Sequence, residues 1–137
     1  MKKTSIEIDP KIYNLFCELN VLIKNENIIQ YSQIFIKDLT RLVEPHLYDL
    51  SQFLKSISYS EFIKTPYWKI ISAYIKWRDC YRCVQCNSNR QLETHHRTYE
   101  NHGYEHLHLE DLYAFCNICH HNYHEQNPEI ERYDLLK

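Results

Sequence analysis

Apolar residues recur at helical spacing along the first part of the chain. Between residues 10 and 24, Ile12, Leu15, Phe16, Leu19, Leu22 and Ile23 fall on one helical face, Asp9 can cap it and Pro10 suits its first turn. A second stretch, 31–43, places Ile34, Phe35, Leu39, Leu42 and Val43 in the same way, and Pro45 stops it. Leu47, Leu50, Phe53 and Leu54 predict a third, short helix. Each needs a partner for its apolar side, so the three are expected to pack together and onto the C-terminal part of the chain. Thr65 before Pro66 opens another helix, carrying Trp68, Ile71 and Ile75 to a Lys76-Trp77-Arg78 end with Asp79 beyond it.

The period then shortens. Arg90 to His96 alternates well enough for a strand, 97–110 reads as a polar loop, and Leu112 to Phe115 is apolar and short enough for a second strand. A helix is expected from Cys119 to about Gln126, stopping before Asn127-Pro128. The expected fold class is α+β, mostly α. A boundary near residue 60 divides a helical region, 1–60, with no assigned role, from a strand, loop, strand, helix region, 61–137.

Composition narrows the setting. The chain has 137 residues, enough for one compact domain or a small module with an appendage, and Gly103 is its one glycine. No segment approaches the roughly 18–20 uncharged apolar residues of a membrane span. Met1 to Pro10 has two lysines but no apolar run after them and no small-residue cleavage site, so no secretion signal is expected. The cysteines are therefore expected in a reducing, cytoplasmic setting, where close pairs bind metal more readily than they bridge. A formal charge of -2 excludes polyanion binding by bulk charge. Lys76, Arg78, Arg82, Arg90 and Arg97 nevertheless gather against Asp79 and Glu93, as a local basic patch or a solvated charged face.

The chemistry lies in the last third. Cys83 and Cys86 are spaced as a knuckle, and Cys116 and Cys119 repeat the spacing, which is the donor set of a structural zinc site. Cys80 extends the first series evenly and could substitute for one member. Asn87 can take the left-handed backbone that such a knuckle needs. His120 and His124 are four residues apart on the last predicted helix, so both rings project from one face toward one ion. His95 or His96 can supply a third ligand, but neighbours on a strand point to opposite faces. One is expected to ligate and the other to remain available for a proton. His46, His102, His106, His108 and His121 read as surface histidines and Cys17 as a core thiol.

These residues together resemble the HNH endonuclease family in its zinc-stapled form, from about Tyr67 to His124. The elements are the tryptophan-bearing helix ending in Arg78-Asp79, the knuckle Tyr81 to Cys86, Leu92-Glu93-Thr94-His95-His96, Tyr99, Leu109-Glu110-Asp111-Leu112, and Phe115-Cys116-Asn117-Ile118-Cys119-His120 with His124. The resemblance implies a ββα-metal (His-Me finger) core. It makes His95, His120 and His124 ligands of a catalytic divalent ion, His96 the general base, and Cys83, Cys86, Cys116 and Cys119 the structural zinc ligands. Asp111 stands where the family has an asparagine that braces the loop and helps to orient the base. Aspartate can accept the same bonds but lacks the amide donor. Cys80 replaces the usual glycine.

The expected function is therefore a metal-dependent DNA endonuclease, with Mg, Mn, Ni or Zn as catalytic ion and Arg78, Arg82 and Arg97 on the DNA. The alternatives are a catalytically weakened HNH-fold module that binds nucleic acid or protein, and a zinc-stabilised adaptor whose N-terminal helices carry the function.

Overall fold

The computed structural model of the chain describes residues 8–25 and 32–126. Helix α1 (Pro10–Asn25) begins where Asp9 predicts, its Oδ1 accepting from the Lys11 amide at 2.7 Å. Helix α2 (Ser32–Val43) runs into a 3₁₀ turn, Glu44–His46, because Pro45 cannot continue the α ladder, and α3 (Leu47–Ser56) comes next. A helix of 4 residues, α4 (Tyr59–Phe62), capped by Ser58, is too short to show a hydrophobic period. Helix α5 (Pro66–Arg78) opens with Thr65 Oγ1 accepting from the Trp68 amide at 3.1 Å. The expected contributions of Ile34 and Phe35, the start at Tyr31 and the stop at Asn127-Pro128 lie outside the described residues.

The chain is mixed α+β and mostly helical, with a sheet of two antiparallel strands. Strand β1 (Leu92–His96) pairs with β2 (Leu112–Cys116) so that Glu93 faces Phe115, His95 faces Tyr113 and His96 faces Leu112. Helix α6 (Asn117–Gln126) begins directly after β2. Alternation along β1 decides what each residue meets. Thr94 and His96 turn toward α5, where Thr94 Oγ1 lies 2.8 Å from Ser72 Oγ and His96 stacks on Trp68. Glu93 and His95 turn toward α6.

One hydrophobic cluster runs across residue 60. Ile12, Leu15 and Leu19 of α1, Leu39 and Val43 of α2, and Leu50 and Leu54 of α3 join Ile70, Ile71 and Ile75 of α5 and Leu112 and Ala114 of β2. A second, much smaller cluster holds Cys83, Phe115 and Cys116, flanked by Leu92, Tyr113, Cys119 and Tyr123. Cys17, expected in the core, is exposed. It stands two positions from both Leu15 and Leu19, on the flank of α1 away from their buried stripe.

The end of α5 is tied to β2 by an ion pair. Arg78 donates to Asp79 Oδ1 at 3.0 Å, to the Leu109 carbonyl at 2.9 Å and to the Leu112 carbonyl at 2.5 Å. Asp79 Oδ2 in turn accepts from the Ala114 amide at 2.9 Å. The Arg78 guanidinium, expected on DNA, is thus engaged by the protein's own carbonyls and carboxylate. Beyond the pair the backbone reverses through Cys80 and Tyr81, at φ 61° and 57°. The Cys80 amide donates to the Trp77 carbonyl at 3.0 Å and the Tyr81 amide to that of Lys76 at 2.7 Å, a Schellman ending usually built on glycine.

The segment from 97 to 110 also departs from expectation. Its centre, His102, Gly103, Glu105 and His106, is buried, and it turns through 3₁₀ segments Glu105–Leu107 and Leu109–Asp111. Gly103, at φ +97°, lies so close to α3 that a Cβ there would stand 3.1 Å from the Ser51 carbonyl oxygen. Ser51 Oγ meets Tyr104 Oη at 2.9 Å beside it.

Candidate metal and histidine site

Three clusters of donor groups surround the sheet. In the first, the sulfurs of Cys83, Cys86, Cys116 and Cys119 all lie within 4.8 Å of one another, and Cys86 and Cys116 approach to 3.6 Å. A tetrahedron with ~2.3 Å metal–sulfur bonds has edges of about 3.8 Å. Cys83 Sγ accepts from the Gln85 amide and Cys116 Sγ from the Cys119 amide, both at 3.4 Å. Asn87, at φ 67°, makes the left-handed turn expected of it, and its amide closes onto the Cys83 carbonyl at 2.9 Å.

Burial alone would raise the Cys83 thiol, but amides of Cys116, Cys86 and Gln85 outweigh it and hold the group near 6. Burial and the surrounding sulfurs push Cys119 up to about 12. One thiolate thus forms readily and resists a second beside it, a conflict that a bound cation resolves. All six cysteines are thiols, and Cys80 is exposed and outside the cluster. This donor set fits a structural metal such as zinc.

The second cluster brings together His95, His120 and His124, with donor nitrogens within 4.8 Å. His120 and His124 Nε2 stand 3.1 Å apart across one turn of α6. His120 Nδ1 lies 2.6 Å from Glu93 Oε1, which fixes its proton on Nδ1 and leaves the Nε2 lone pair for the cluster. His95 stacks on Phe115 at 4.8 Å and meets Tyr123 edge-on at 4.4 Å. Its Nε2 is buried without a hydrogen-bond partner. Burial, together with the neighbouring His120 and His124, holds His95 near 3, so the ring stays neutral. A buried, neutral, unsatisfied imidazole facing two others fits a cation better than it fits a proton.

The third cluster is His96, His102 and Glu105, all buried. Glu105 Oε2 lies 2.9 Å from His96 Nε2 and 2.6 Å from His102 Nδ1, and Oε1 accepts from the Gly103 amide at 2.9 Å and the Tyr67 hydroxyl at 3.3 Å. Burial would raise the carboxyl, but the bonds from His102 and His96 bring it down to about 2. Tyr67 Oη also sits 2.9 Å from His106 Nδ1, and burial lowers His106 to about 4. The expected surface positions of His102 and His106 are therefore corrected. His102, Glu105 and His106 face inward, where Glu105 accepts from His102 Nδ1 and the Tyr67 hydroxyl meets both Glu105 and His106.

The structure thus joins His95, His120 and His124 and does not bring His96 into their cluster. His96 is held by Glu105, and its Nδ1 makes no hydrogen bond among the described residues. Asp111 accepts from Asn101 Nδ2 at 2.8 Å, and its carbonyl accepts from the Arg97 amide at 2.7 Å, which ties it to the start of the loop. It does not bond His96, whose carboxylate neighbour is Glu105. Arg82 and Arg97 are exposed. His121 is exposed beside Glu125, and His46 and His108 are half-buried.

Sequence reasoning missed Glu105, Tyr67 and the buried state of His102. The available signal was Gly103, since a lone glycine between a histidine and a glutamate marks a turn that can face both inward. No protein-family model matches the chain, and no curated protein or solved structure matches it. No helix among the described residues is long and apolar enough to cross a membrane.

Proposed function

We propose that β1, β2 and α6 form an HNH-type ββα-metal core, with zinc on the four cysteines, and that the protein is a metal-dependent DNA endonuclease. The observation that carries this reading is the convergence of three imidazoles, one of them, His95, buried with an unsatisfied nitrogen, with Glu93 behind His120. A divalent cation held by His95, His120 and His124 would neutralise the scissile phosphate and the departing oxygen. Neutral imidazole ligands leave such a cation its full charge and suit zinc, nickel or manganese better than magnesium.

The chain's own residues supply the rest. His96 takes the proton of the attacking water through Nδ1, the nitrogen that Glu105 does not occupy. Trp68 and Tyr99 hold the ring from both faces, at 4.9 and 4.6 Å. The exposed Arg82 and Arg97 would meet phosphates, contacts that position a duplex without reading its sequence.

A second reading is favoured by one observation. His96 is only 3 % exposed, as a structural histidine would be, so a module that grips DNA or a protein without cutting is the alternative. Incubation with supercoiled plasmid and magnesium, manganese, nickel or zinc separates the two. Nicking that falls at least about a hundredfold in His96→Ala, with the circular dichroism unchanged, is the expected result. Tight DNA binding without turnover under every metal supports the binding module instead, and cleavage indifferent to His96→Ala removes the proposed base.

A further inference from the structure

A histidine can accept a proton through only one nitrogen while the other carries hydrogen, so the partner of the second nitrogen decides which edge is basic. His96 Nε2 faces the Oε2 atom of Glu105 at 2.9 Å, and His102 Nδ1 faces the same oxygen at 2.6 Å. An ionised carboxylate only accepts, so both nitrogens must donate. The carboxylate is itself fixed, because its other oxygen receives the Gly103 amide and the Tyr67 hydroxyl. The ring plane is fixed as well. Trp68 lies against one face at an interplanar angle of 12° and Tyr99 stacks on it at 24°, so a flip that put carbon against the carboxylate would leave a buried anion one donor short.

We infer that Glu105 is the positioning residue for His96: its carboxylate holds the Nε2–H tautomer and so makes Nδ1 the basic edge of the ring. The inference rests on the reading of His96 as proton acceptor, but it concerns a carboxylate that the sequence placed in a polar loop. Glu105 touches neither substrate nor cation in this arrangement. It acts through the imidazole, and Tyr67, lodged between Glu105 and His106, buttresses it from α5. The same three groups, His96, His102 and Glu105, could instead clasp a cation of their own. That alternative strips the proton from His96 Nε2 and is therefore distinguishable.

The test is a long-range proton–nitrogen correlation spectrum of the histidine rings in full-length, zinc-replete protein labelled with nitrogen-15, with His96 assigned from the His96→Ala variant. The expected spectrum shows a neutral His96 ring protonated on Nε2. Glu105→Gln, which keeps the shape but offers an amide, should give a mixed or exchanged tautomer and lower kcat by about 10²–10⁴-fold, with KM and zinc content kept.

A wild-type His96 protonated on Nδ1, before or after titration with zinc or nickel, overturns the inference. So does an unchanged His96 signature in Glu105→Gln. Should Glu105→Gln fail to fold, the wild-type spectrum alone decides, because it requires no variant in place of Glu105. A wild type with the expected tautomer that nicks DNA under no metal would sink the nuclease reading alone.

Discussion

At the scale of single residues, Gly103 controls more than its size suggests. Its φ of +97° belongs to glycine, and a side chain would meet α3 at the Ser51 carbonyl. Two residues later comes the carboxylate that collects His96, His102 and Tyr67. Gly103→Ala is expected to lower the unfolding free energy by on the order of 1–3 kcal/mol, measured by urea titration, and to loosen His96 at the same time. An alanine variant as stable as the parent would show that the loop can relax away from α3. The pairing of His120 and His124 was legible beforehand because their spacing is a helical property. Glu105 was not legible. Its neighbours in space are Tyr67 and His96, 38 and 9 positions away, and no local period connects them.

Among the elements, the long amphipathic helices and both strands were readable within about two residues, the helices and β1 from a period and β2 from a short apolar run. The short α4 and the 3₁₀ turns of the loop were not, because they hold their shape through caps and tertiary contacts. The small cluster around Cys83, Phe115 and Cys116 has few apolar side chains, and the four sulfurs are what its halves share. Chelation, or Cys116→Ser, should therefore release the knuckle and α6 while the helices around Ile70, Ile71 and Ile75 keep their core. Amide hydrogen exchange would read this directly as fast exchange confined to residues 81–91 and 117–126. Full protection there in metal-stripped protein would show that the cluster stands without its ion.

Across the whole molecule, acid should act through the buried polar network. Glu105 ionises near 2 in the fold against a usual 4.5, so its contribution is complete above 4.5 and is lost as pH falls toward 2. His106 is held near 4 against a usual 6.5, so the unfolded chain takes up a proton that the fold refuses, and stability declines from about 6.5 downward to 4. The thermal midpoint is expected to be highest near neutrality and to fall in two stages, the lower of which Glu105→Gln should remove. A midpoint flat between pH 7 and 4 would show that His106 opens to water before it charges.

The seat of Gly103 and Tyr104 on α3 reaches further still. A chimera that exchanged α1 to α3 for another helical bundle would inherit the four clustered thiols and His95, His120 and His124 intact. It would still misalign the one carboxylate that steers His96, unless the incoming helix offered a small residue opposite the glycine and a hydroxyl for the tyrosine.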